Sequence, residues 1–63
     1  MNMIDIKEME VGDLVRVIGY AVDGNERLPI GTEDRILFGS DNKGFVIQGF
    51  LYPKSSLLLV KKD

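Results

Sequence analysis

Seven glycines and two prolines cut this 63-residue chain into pieces too short for most helices. Gly12, Gly19, Gly24, Gly31, Gly39, Gly44 and Gly49, with Pro29 and Pro53, leave intervals mostly of four to seven residues. Isolated helices are marginal below ~12–15 residues, so intervals of this length suit strands. The composition of the pieces agrees. Residues 14–20 read Leu-Val-Arg-Val-Ile-Gly-Tyr, and residues 32–38 carry Ile36, Leu37 and Phe38 after a charged lead. Residues 44–52 read Gly-Phe-Val-Ile-Gln-Gly-Phe-Leu-Tyr, and residues 57–61 close the set. β-Branched and aromatic side chains of this kind fit a pleated, half-buried surface. Asp41-Asn42-Lys43-Gly44 is turn chemistry, because Asn and Gly tolerate positive φ. Residues 21–31 make a longer connection anchored by Asp23-Gly24-Asn25, and Pro53-Lys54-Ser55-Ser56 suits one tight helical turn. Four or five short strands and almost no helix are expected.

Alternation along each strand assigns faces. Val15 and Val17 share the face opposite Arg16, which must reach water. The same reasoning places Ile36, Phe38, Phe45, Ile47, Leu57 and Leu59 with them in the core. Each strand nevertheless keeps apolar residues on its polar face, among them Ile18, Leu37, Val46 and Phe50. The long connection, the N-terminal Met3-Ile4-Asp5-Ile6 or a partner must cover them. A sheet this small covers both faces only by closing on itself, which favours a small barrel, and the length allows one domain, 1–63.

Three stretches resemble the SH3-like small β-barrels, the KOW and Tudor relatives included. Val11-Gly12-Asp13-Leu14-Val15-Arg16-Val17 is similar to their opening strand, a Gly-Asp turn running into alternating valines with a basic residue between. Gly31-Thr32-Glu33-Asp34-Arg35-Ile36 resembles the second strand, with Asp34 where the family usually has another glycine. Residues 52–60, Tyr-Pro-Lys-Ser-Ser-Leu-Leu-Leu-Val, resemble the terminal element, one helical turn and a last strand. The resemblance implies an all-β fold: a five-stranded SH3-like barrel with one short helical turn near residues 53–56. Fold alone does not select a function, since such barrels host peptide, nucleic-acid and methyl-lysine binders. The Ala-Leu-Tyr-Asp-Tyr stretch and groove tryptophan of the peptide-binding signalling members are both missing here. Methyl-lysine cages need three or four converging aromatics. The chain has five, and at least two are needed as core.

Chemistry has little to work with. The chain holds no cysteine and no histidine, which excludes disulfides, zinc fingers, thiolate nucleophiles and Ser-His-Asp triads. Glu33 and Asp34 are neighbours in a strand and so point to opposite faces, which spoils a shared acid–base site. Asp23-Gly24-Asn25-Glu26 lacks the frame of a calcium loop, and residues 39–44 lack the Gly-Lys-Ser/Thr of a phosphate cradle. Ser55 and Ser56 have no base to activate them. The expectation is a non-enzyme with no cofactor and no metal.

Binding is the class that remains. The residues expected to meet a partner are Tyr20, Arg27, Leu28, Tyr52 and Lys54, an amphipathic patch of tyrosines and cations near Pro53. A protein partner is expected first. The alternative is a nucleic-acid-binding barrel acting through Arg16, Arg27, Arg35, Lys43, Lys54, Lys61 and Lys62, with Tyr20 or Tyr52 stacking on bases. Eight basic against ten acidic residues, a net charge of −2, argue against strong capture of phosphate backbones. The C-terminal strand, apolar on both faces through Leu57-Leu58-Leu59-Val60, also allows self-association. That run is far short of the ~20 residues of a membrane span, so no membrane partner is expected. With no secretory signal and no disulfide, the expectation is a cytoplasmic protein. Beginning with Met and stopping just after the last strand, the chain reads as a complete small gene product. A bacterial or phage-encoded regulator or inhibitor of a larger protein is the expected role.

Overall fold

Residues 8–63 are described by a computed structural model. Their regular elements are β1 (Leu14–Val17), β2 (Glu33–Arg35), β3 (Phe38–Ser40), β4 (Gly44–Ile47), β5 (Phe50–Tyr52) and β6 (Leu57–Lys61). A single 3-10 turn, Lys54–Ser56, falls within the expected segment 53–56 and leads into β6. The fold is all-β. The strands form two antiparallel three-stranded sheets, ordered β2-β1-β6 and β3-β4-β5. No helix of the described residues is long and apolar enough to cross a membrane. The N-terminal residues 3–6, one of the expected covers for the spare apolar side chains, lie outside the described residues.

The expected five-stranded barrel is corrected on two counts: six strands are found among the described residues, and they do not close a barrel. The expected strand over residues 32–38 breaks at Ile36-Leu37, where the chain leaves one sheet for the other. Ile36 still bonds toward β1, its N–H donating to the Asp13 carbonyl at 3.0 Å and its carbonyl accepting from Gly12 at 2.9 Å. The next amide, Leu37 N–H, donates instead to the Val46 carbonyl of β4 at 2.9 Å. The expected strand over residues 44–52 is likewise two strands, β4 and β5, joined by Gln48-Gly49. Both residues have positive φ, 51° and 87°, the backbone that two-residue hairpin turns require.

The core is Val15, Val17, Ile36, Phe45, Ile47, Tyr52 and Leu57, with Ala21 and Leu28 from the long connection. Burying each large apolar side chain contributes about 1.5–3 kcal/mol. Leu59 and Met9 pack against this cluster and are partly buried. Phe38 does not join it. It is 63% exposed, and the cause is the break at Ile36-Leu37, which ends the two-residue alternation that would have put Ile36 and Phe38 on one face. Tyr52 takes the interior place. The connection between β1 and β2 closes over this core. Val22 N–H donates to the Leu51 carbonyl at 2.9 Å, and Leu28 N–H donates to the Tyr52 hydroxyl at 2.8 Å.

Candidate interaction surface

The outer face of β3-β4-β5 carries a row of apolar side chains with no cover among the described residues. Register puts Phe38 opposite Val46 and Val46 opposite Leu51, so the three stand side by side across the sheet. The adjacent row, Gly39, Phe45 and Tyr52, faces the core. Strand alternation then turns the Phe38 row outward. Phe38 and Leu51 are exposed and Val46 is half-buried. With Gly44, Ser40 and Lys43 they line a shallow groove of about 400 Å³. A second groove, about 490 Å³, opens between the long connection and β5, with Val22 and Arg27 on one wall and Phe50 and Leu51 on the other. Leu51 lines both at the β5 edge of the sheet, while Phe50 pairs with the buried Ile47 and stands on the other face of β5.

Polar side chains of the neighbouring loops and turns are tied in pairs, of which Arg27 and Asp23 line the second groove. Arg27 donates to Asp23 Oδ2 from Nε at 2.9 Å and from Nη2 at 2.5 Å. The Asn25 backbone N–H, at 2.9 Å, and then the Arg27 guanidinium hold the Asp23 carboxyl below its ordinary range. Lys54 Nζ lies 3.4 Å from Asp41 Oδ2 at the β3–β4 hairpin. Gln48 Nε2 donates to Asp34 Oδ2 at 2.8 Å and is the first cause of that carboxyl's lowered pKa.

The structure separates the residues that sequence patterning grouped as a patch. Arg27 lines the groove beside β5, and Lys54 sits at the hairpin end. Tyr20 is 57% exposed but lines neither groove. Tyr52 and Leu28 are core: the tyrosine ring is wholly buried and its hydroxyl serves the Leu28 amide, so neither presents a surface to a partner in this conformation. Alternation along residues 44–52 does not pick out the apolar row. The row's signal is present in the spare apolar Val46, whereas unbroken alternation puts Leu51 on the Phe45 face. Recognising it needs the Gln48-Gly49 turn, which sets Val46 and Leu51 opposite each other.

Elsewhere one buried polar group stands out. Asp13 is 1% exposed and accepts three hydrogen bonds: Lys62 Nζ at 2.7 Å, Asp63 N–H at 2.8 Å and Glu10 N–H at 2.9 Å. The Lys62 bond, then the Asp63 amide, holds this carboxyl below its ordinary 3.8, and Asp13 in turn raises Lys62 above 10.5. The cluster fastens the C-terminal residues to the turn before β1. Among the described residues no group of three or more Asp or Glu is placed to hold a metal ion. On the other sheet β6 stands at the end of the order β2-β1-β6, with Leu58 and Val60 exposed. No protein-family model, curated protein or solved structure matches this chain.

Proposed function

We propose that this chain is a non-catalytic protein-interaction module, a small regulator or inhibitor that docks on a larger protein through the outer face of β3-β4-β5. The observation that carries this reading is the in-register row Phe38, Val46 and Leu51, facing outward on three neighbouring strands. Apolar residues scattered singly over a surface need no explanation, whereas a contiguous patch with polar residues at its margin marks contact sites. A central apolar cluster with a polar rim is also the anatomy of protein–protein interfaces.

The charges favour a protein over a nucleic acid. Of the seven cations that a phosphate backbone would need, Arg16, Arg27, Lys54 and Lys62 are already in ion pairs with acids. Of the two tyrosines that would stack on bases, Tyr52 is buried. An exposed aromatic contributes about 1–3 kcal/mol per stacked base, but few free cations would hold the strand against it.

The test is a comparison between wild type and Phe38→Ser, each immobilised and exposed to cell lysate. A stoichiometric protein retained by the wild type and lost by the variant is the expected result. Equal retention by both would move the interface away from this face. Titration of labelled oligonucleotides at low salt should leave anisotropy unchanged, and saturable binding there would favour the nucleic-acid reading.

A further inference from the structure

The Phe38–Val46–Leu51 row has a direction and a charge. We infer that its occupant is an acidic amphipathic helix of a partner protein, laid across the strands with its carboxylates toward Lys43. The inference rests on the reading of this face as a docking surface and adds the chemistry of what docks.

Geometry selects the helix. The three side chains lie across the strands, on three neighbours, so the row spans two inter-strand spacings, ~10 Å. Residues seven apart on a helix rise ~10.5 Å, with i+3 or i+4 between them on the same face. A helix thus sets one apolar side chain against each of Phe38, Val46 and Leu51. An extended peptide laid across the sheet repeats each face every ~6.7 Å, out of step with this row. Laid along the strands, it covers one of the three.

Charge selects the sign. Lys43 lines the groove and has no ion-pair partner among the described residues. Lys54 reaches the same hairpin, where Asp41 alone stands against the two ammonium groups. The groove therefore has a cationic end. The buried acid Asp13 is committed to Lys62, just past the end of β6 in the other sheet, and does not neutralise it. A helix with Glu or Asp beside its apolar stripe complements this end, and a basic one is repelled.

The experiment uses the ¹⁵N-labelled full chain and two synthetic peptides of ~18 residues, long enough for a helix to persist. Both carry Leu at i, i+3 and i+7; one has Glu flanks and the other Lys flanks. The acidic peptide is expected to shift the amides of Phe38, Gly44, Val46 and Leu51 saturably, more weakly as salt rises. Lys43→Glu, at an exposed turn where the melting temperature should not move, is expected to weaken that binding about two- to tenfold and to favour the basic peptide. If the basic peptide binds the same amides as well as the acidic one, the face remains a docking surface and the inferred partner chemistry is wrong. If those amides shift with protein concentration alone, the occupant is a second copy and the inference fails. If neither peptide touches this face, the inference fails, and retention of a partner by Phe38→Ser would then remove the docking reading itself.

Discussion

The amide of Leu28 donates to a hydroxyl 24 positions away, inside the core, at 2.8 Å. Tyr52→Phe keeps the ring and removes only that acceptor, leaving a buried N–H unsatisfied. The expected cost is about 1–3 kcal/mol, a visible drop in a urea melt, with the fold otherwise retained. Asp13 makes a different case, because its effect depends on pH. Its pKa is lowered in the fold, so the stability it contributes is complete above its ordinary 3.8 and is lost as pH falls through the lowered folded value. Lys62 is raised, so its contribution is complete below 10.5 and is lost as pH climbs through the raised value. Asp13→Asn should therefore melt lower than wild type at neutral pH, and the gap should close in acid below pH 3.8. Asp23 and Asp34 are also lowered and keep some acid slope in both proteins. A gap constant with pH would show that the clamp works by shape rather than charge. Sequence patterning names both residues but not these buried roles, since their partners Lys62, Asp63 and Leu28 are far away along the chain.

Among the elements, strands with regular alternation were readable. Val15 and Val17 in β1, Phe45 and Ile47 in β4 and Leu57 in β6 all follow from one apolar face against one polar one, and all are buried. The failures sit where the backbone departs from that period. Ile36-Leu37 is a crossing between sheets, and Gln48-Gly49 is a turn inside what reads as one continuous strand. Gln is an uncommon residue at positive φ, so the hairpin carried only half of its usual signature. Gly44 marks a third constraint at this scale. An added Cβ would come 2.6 Å from the Tyr52 carbonyl oxygen, where β4 meets β5, and its φ is +100°. Gly24 has a similar φ of +86° with open space around it. Gly24→Ala is expected to cost about 1–2 kcal/mol from backbone strain alone. Gly44→Ala should cost clearly more, because it adds a backbone collision that separates two strands. Equal melting temperatures for the two variants would mean that the β4–β5 approach is looser than described.

At the scale of the molecule, the two sheets divide the work. The sheet β2-β1-β6 is fastened at its end by Asp13, Lys62 and Asp63, while β3-β4-β5 presents its outer apolar row to solvent. A small domain has only a few kcal/mol of stability in reserve, so a core Phe cannot be lost while a surface Phe can. Phe38 and Phe45 stand on neighbouring strands and face opposite ways, which makes them a matched pair. The most direct measurement of whether this face is free to bind is the equilibrium denaturation of Phe38→Ala beside Phe45→Ala. Phe45→Ala is expected to lose about 3–5 kcal/mol and to be largely unfolded. Phe38→Ala is expected to lose less than about 1 kcal/mol, the worth of a cross-strand neighbour on an exposed face. A loss at Phe38 as large as that at Phe45 would place the ring in the core and contradict the docking face.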